Sequence, residues 1–250
     1  MLAGLKPGTS GENYISIQNS GSTVAVVSFE FHTTSGGTIL FSKIVPAGSR
    51  GEVNLLTDVP PSLPAGEFVS ARYSSVGSPV SVQFVATNGL DTVSTAFAPR
   101  AANFWTFAGG SFDANDPGSS EVISVFNPYK NAGFEMWLIV KYYFSDGTST
   151  TLPLTSFRIN SGERVDLDLS DPPFAAVRTK IQSDPQFSTY SVSVIAQFVT
   201  SPGGPVFPSV VAQMTQIKGG SSNSSTTMGV PLTDGNYLLL TDPVFSSSGV

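Results

Sequence analysis

The chain has no cysteine, which removes disulfide clamps, thiolate nucleophiles and sulfur metal ligands together. It has a single histidine, His32, so a histidine-rich metal centre is excluded and a Ser-His-Asp triad would depend on that one residue. His32 is read as an outward-facing surface side chain. Charge is sparse: 12% of residues are charged, and 12 Lys and Arg stand against 18 Asp and Glu for a net charge of −6. Without a basic cluster the chain has little with which to displace phosphate counterions, and nucleic acid is not an expected partner. No run approaches the roughly 18 consecutive apolar residues of a membrane helix, so no transmembrane segment is expected. The opening MLAGLKPGTSG shows neither the basic region nor the apolar core of a secretory signal. Low charge with abundant Ser, Thr and Gly suits an extracellular or surface-exposed setting, by an export route the sequence does not display. The chain also lacks Gly-x-Ser-x-Gly, Gly-x-x-x-x-Gly-Lys and Gly-x-Gly-x-x-Gly motifs. Gly109-Gly110 and Gly219-Gly220 read as turn or linker glycines. The expectation is a non-enzyme without a cofactor.

What is present reads as short strands and tight turns. Glycine (24) and proline (18) are frequent and 40% of residues are hydrophobic, with Val, Ile, Thr, Phe and Tyr concentrated between the turn residues. That content serves one large core or two smaller ones. The chain also matches itself at an offset of about 110 residues, the sign of an internal repeat. Tyr14-Ile-Ser-Ile-Gln-Asn19 matches Val122-Ile-Ser-Val-Phe-Asn127, and Val24 to Thr33 matches Glu135 to Phe144. Turn signals follow at Ser35-Gly36 and Asp146-Gly147, then Ala47-Gly-Ser-Arg50 and Ser161-Gly-Glu-Arg164. The acidic, proline-rich corners Asp58-Val-Pro-Pro61 and Asp171-Pro-Pro173 come next, and Val82-Gln-Phe-Val85 matches Ala196-Gln-Phe-Val199. Late strand pairs are expected at Glu67 to Ser74 with Val80 to Thr87, and at Ala175 to Gln182 with Tyr190 to Val199. Phe104, Trp105 and Phe107 open the second copy, whereas most of the equivalent material is missing from the first. Alternation places Val27, Phe29 and Phe31, and Leu138, Val140 and Tyr142, toward cores. The fold class is therefore all-β: two tandem antiparallel, jelly-roll-like β-sandwich domains over 1–100 and 101–217, then a Gly/Ser-rich linker and C-terminal strand over 218–250.

Several residues stand out against this frame. Arg50 and Arg164 end equivalent turns and are expected to tie them to backbone carbonyls or to the acidic corners at Asp58 and Asp171. Gln83 and Gln197 are expected to satisfy buried loop carbonyls. Trp105, Trp137 and Tyr143 are the candidate ligand-binding aromatics, suited to stacking on a sugar if they line an open face. Trp137 and Tyr143 alternatively pack against the first copy, a neighbouring chain or a loop of their own domain. Asp113, Asn115 and Asp116 offer hard oxygen ligands, a weak calcium candidate without EF-hand spacing. Glu163, Asp166, Asp168 and Asp171 read first as a solvated edge, with a carboxylate site or calcium binding as alternatives. After the linker, Tyr237, Leu238, Leu239 and Leu240 form an apolar strand suited to pairing with a sheet edge, on its own chain or a neighbour's.

The second copy resembles the small β-sandwich family typified by the sensory rhodopsin transducer. The likeness rests on Trp105-Thr-Phe-Ala-Gly109, Glu121 leading into the strand that ends at Asn127, Val140-Lys-Tyr-Tyr-Phe-Ser-Asp-Gly147, the turn ending at Arg164, and Val194-Ile-Ala-Gln-Phe198. The first copy is similar more loosely, from Tyr14 to Val85. The resemblance implies a jelly-roll-like antiparallel sandwich, symmetric oligomers and small-molecule binding without established catalysis. The functional expectation is a homo-oligomeric structural or assembly protein of a surface layer, filament or virion. The alternative is a module that binds carbohydrate or another small ligand.

Overall fold

The computed structural model describes residues 1–5, 13–33, 36–59, 63, 69–88, 91–113, 115–116, 118–130, 133–152, 157–200, 208–217 and 224–232. These residues form a predominantly β fold of four antiparallel sheets, with strands numbered in chain order. The first sheet runs β1 (Leu2–Leu5), β6 (Val69–Val76), β3 (Ala25–Thr33), β4 (Thr38–Val45). The second runs β5 (Arg50–Asn54), β2 (Asn13–Gln18), β7 (Ser81–Asn88), β8 (Asp91–Ala96). The third runs β12 (Ser149–Thr151), β11 (Met136–Phe144), β15 (Thr189–Phe198), β9 (Phe104–Ser111), β18 (Val230–Leu232), and β13 (Arg158–Ile159) also pairs with β11. The fourth runs β14 (Arg164–Asp168), β10 (Ser120–Phe126), β16 (Val211–Ile217), β17 (Ser224–Met228).

The pairing order of the first two sheets recurs in the last two. β9 takes the place of β1, β15 of β6, β11 of β3, and β10 and β16 the places of β2 and β7. The N-terminal strand of the first half is thus present, but four residues long against eight for β9. Register refines the sequence repeat. Ser16 lies opposite Gln83 between β2 and β7, and Ser124 lies opposite Gln213 between β10 and β16. Gln197 instead faces Trp137 in a different sheet. The counterpart of Gln83 is therefore Gln213, and the recurrence of Gln-Phe-Val at 83 and 197 is a likeness between strands with different neighbours.

The segment between β14 and β15 also departs from the expectation. Where a strand was expected over Ala175 to Gln182, the structure has a 3-10 turn, Pro172–Phe174, running into helix α1 (Ala175–Ser183). Two prolines suit the first turn of a helix, and Ala, Arg, Lys and Gln favour its continuation. Val177 and Ile181, four residues apart, share its buried face. Arg178 Nη1 holds the helix start by donating to Leu169 O and Asp171 O, each at 2.6 Å, and Lys180 Nζ reaches Asp146 Oδ2 at 2.6 Å.

Two buried clusters result. One gathers Ile15, Ile17, Val27, Phe29 and Phe31 of the first half; the other gathers Trp105, Phe107, Ile123, Val140 and Tyr142 of the second. β1 serves both, because alternate side chains leave a strand on opposite faces: Leu2 enters the first cluster and Ala3 the second. Polar contacts join the halves beside it. Arg72 Nη2 donates to Glu30 Oε2 at 2.6 Å, Lys130 Nζ meets the same oxygen at 3.0 Å, and Arg72 Nη1 reaches Pro128 O at 3.3 Å. His32 has the outward phase expected of it, but its ring lies 4.9 Å from that of Phe126 and the residue is buried. The surface reading of His32 fails because the second half covers that end of β3. Burial is also the main cause lowering its pKa, with Glu30 opposing and Arg72 reinforcing the shift. Among the described residues, no helix is long and apolar enough to cross a membrane.

Candidate functional site

The clearest duplicated side-chain constellation centres on the two arginines. Gly48 and Gly162 adopt positive φ, 63° and 74°, in the tight turns ahead of them, a conformation glycine enters without steric cost. Arg50 Nε then donates to Ser16 Oγ at 3.0 Å and pairs with Glu52 at 2.7 Å. Arg164 Nη2 donates to Ser124 Oγ at 3.3 Å and pairs with Asp166, which also accepts from Ser124 Oγ at 2.7 Å. The acidic partner in each half is the side chain two residues along the same strand. The corners at Asp58 and Asp171 are bound by other groups: Asn54 N–H and Thr57 Oγ1 donate to Asp58, and Arg178 takes the Asp171 carbonyl. The environments differ in depth, since the Arg50 side chain is 53% exposed and that of Arg164 only 1%. Gln83 and Gln197 are both exposed, which corrects the expectation that they satisfy buried carbonyls; the buried glutamine is Gln213.

A second constellation lies on the inner side of β10. Glu121 is fully buried, and its Oε2 accepts from Gln216 Nε2 at 2.9 Å while Gln216 also reaches Gly109 O at 3.1 Å. Desolvation pushes the Glu121 carboxyl up to about 7; the Gln216 amide, Tyr190 hydroxyl and Ser111 backbone oppose that shift in part. Tyr190 Oη and Glu121 Oε1 are both buried without a hydrogen-bond partner among the described residues. Tyr142, whose ring centroid is 5.3 Å from that of Tyr190, is likewise raised by burial and then by Glu121. Gly110 is needed here. It sits in β9 opposite Tyr190, and a Cβ would come within 2.2 Å of the tyrosine ring. Gly109 and Gly110 are therefore strand residues beside an irregularity of the β9–β15 register, not turn or linker glycines.

Ser111 also lines a cleft of about 490 Å³. One wall is the loop after β9, with Asp113, Asn115 and Asp116; the other is the end of α1, with Ile181 and Gln182, and the 3-10 turn Pro185–Ser188 that follows it. Asp113 Oδ1 accepts from Asn115 N–H at 2.9 Å and Asp116 Oδ1 from Gly118 N–H at 3.0 Å, so both carboxylates organise their own loop. Among the described residues, no group of three or more His, Cys, Asp or Glu converges as a metal site.

The three candidate aromatics do not share a surface. Trp105 is fully buried, and its Nε1–H donates to Val210 O at 2.8 Å and Ala102 O at 3.2 Å, so it is a core residue with its polar atom satisfied. It offers no ring face to a ligand. Trp137 and Tyr143 are half-buried on the outer face of β11, six residues and about 20 Å apart. The Arg158 guanidinium lies 5.9 Å from the Trp137 ring centre and Lys141 Nζ lies 4.6 Å from that of Tyr143, while Tyr143 Oη is 3.4 Å from Ser193 Oγ. The strand proposed at Tyr237, Leu238, Leu239 and Leu240 lies outside the described residues.

No protein-family model matches the chain, and no curated protein matches it significantly. Sequence reasoning passed over Glu121, Tyr190 and Gln216 as a group, although one signal was present. Glu121 opens the apolar run Glu-Val-Ile-Ser-Val-Phe at the place held by Asn13 in the first half, and both residues are buried.

Proposed function

We propose that this chain is a non-enzymatic structural subunit that assembles into homo-oligomers of a surface layer, filament or virion in an extracellular or surface-exposed setting. Its working units are two jelly-roll-like sandwich domains, 1–100 and 101–217, followed by a segment, 218–250, that contributes a strand to assembly. The transducer-like pattern of the second half supports the same architecture. One observation carries the reading. The exposed large hydrophobic side chains among the described residues are Val24 (50%), Val26 (40%), Leu40 (71%), Ile44 (66%) and Val76 (73%), and β3, β4, β6 and the residue before β3 present them on one sheet face. Ile44, Val26 and Val76 stand directly side by side across three strands. Contiguous exposed aliphatic surface of this kind marks an interaction face. Light scattering of the full chain across a concentration range tests the proposal: a mass rising above 26.2 kDa is expected, and a monomer at every concentration overturns it. Deleting residues 233–250 should lower the assembled fraction; unchanged mass and thermal stability would remove the tail from the proposal.

The cleft of about 490 Å³ favours a second reading, a binding module for a small polar ligand such as a carbohydrate. Calorimetric titration with neutral oligosaccharides tests it, with Gln182→Ala and Asp116→Ala expected to weaken binding at least tenfold. No heat of binding from any sugar class would set it aside.

A further inference from the structure

β4 is the last strand of its sheet, and no strand pairs with its outer edge among the described residues. Its sequence, Thr-Ile-Leu-Phe-Ser-Lys-Ile-Val, is eight residues long without glycine or proline. A long apolar edge is a template for another strand, and sheets normally blunt it by shortening, breaking or covering the strand. The second half does so: beside β11, where β4's counterpart would lie, are only the three residues of β12 and the two of β13. The first half leaves its edge intact and sets exposed Leu40 and Ile44 along it.

The groups that face this edge follow from the hairpin. Thr33 N–H donates to Gly37 O at 2.9 Å, and antiparallel pairs alternate between bonded and non-bonded. Ile39, Phe41 and Lys43 therefore bond to β3, while Thr38, Leu40, Ser42 and Ile44 turn their N–H and C=O groups outward.

We propose that β4 pairs antiparallel with β4 of a second copy about a twofold axis at Ser42, joining two four-stranded sheets into one of eight strands; this inference rests on the assembly reading above. In that register Leu40 stands opposite Ile44 of the partner copy, Ile44 opposite its Leu40, and Ser42 opposite its Ser42. Each of these three pairs consists of outward-bonding residues, with Phe41 and Lys43 facing each other at the non-bonded positions between them, and the aliphatic row Val76, Val26, Ile44 continues across the joint. Centring one residue later would oppose two Lys43 ammonium groups, which destabilises a directly facing pair, and centring one earlier would set Leu40 against serine. The self-complementary register points to a second copy as the occupant.

The absence of cysteine makes the test specific. Ser42→Cys places the chain's one thiol at the axis, where facing Cα atoms lie about 5.5 Å apart, within reach of a disulfide. Mild oxidation of the full chain should convert most of it to a covalent dimer, while Ser74→Cys, exposed on the same face but away from the edge, should remain uncrosslinked. Ser42→Pro removes an outward N–H and leaves the β3 ladder intact; it should weaken dimerisation at least tenfold by light scattering. Assembly that persists without Ser42→Cys crosslinking overturns the β4 pairing and leaves the assembly reading standing. Uncrosslinked Ser42→Cys together with loss of assembly on deleting 233–250 overturns it in favour of the tail as occupant. A chain that is monomeric throughout overturns both.

Discussion

Glu121 and Asn13 occupy the same strand position, yet only one of them can bear charge, and this difference sets a pH dependence. Burial raises the Glu121 carboxyl to about 7 from an ordinary value near 4.5, so between those values the folded chain keeps a proton that the unfolded chain has released. Stability from this group is therefore intact below about pH 4.5 and declines as pH rises toward 7, by about 3 kcal/mol in all. Glu121→Gln should flatten that slope in urea titrations at pH 5 and pH 8 and be the more stable protein at pH 8. An unchanged slope would show that Glu121 does not titrate in this window. The duplicated arginines offer a paired comparison at the same scale. Arg164→Ala strips a partner from Asp166 in an enclosed site and should cost about 3 kcal/mol. Arg50→Ala, acting on an exposed pair, should cost less than about 1 kcal/mol. Equal losses would show that burial does not separate the two sites.

Among the elements, α1 gives a test in which the sign alone decides. Thr179 is exposed on the helix, and its hydroxyl donates back to Ala175 O at 2.9 Å. Alanine is the better helix former, so Thr179→Ala should raise stability by about 0.5 kcal/mol. In a strand the same change would remove a favourable β-branched residue and lower stability. The Gly110 position tests the close packing of β9 on β15. Gly110→Ala places a Cβ against the ring of Tyr190, and the forced displacement should cost about 1–3 kcal/mol in thermal or denaturant unfolding. A neutral result would mean that Tyr190 moves aside freely.

For the whole molecule, the question is how far the two halves unfold together. They have separate clusters, but β1 feeds both, and Glu30, Arg72 and Lys130 link the halves alongside it. Phe31→Ala empties the first cluster alone and should cost that half about 3–5 kcal/mol. Near-ultraviolet circular dichroism during urea unfolding should then show an early transition for the first half, with the second half still folded. A single transition would mean that the shared strand makes one cooperative unit.

Legible along the chain are the β class, the repeated strand motifs, the core-facing phase of Phe29, Phe31, Val140 and Tyr142, and the equivalent placement of Arg50 and Arg164. These are local properties: side chains alternate with a period of two along any strand, and a glycine at positive φ fixes where a turn delivers the next residue. Long-range packing sets the rest: Gln213 rather than Gln197 matches Gln83, Trp105 lies in the core, Phe126 covers His32, and Glu121 meets Gln216 beside Tyr190. Each of these depends on which strand lies beside which, or on what covers an outer face, and periodicity carries no information about either. The helix at Ala175–Ser183 falls between the two. Its Val177 and Ile181 spacing is legible along the chain, but the repeat aligns it with β6, whose structural counterpart is β15, so the alignment implies an extended segment where the structure has a helix.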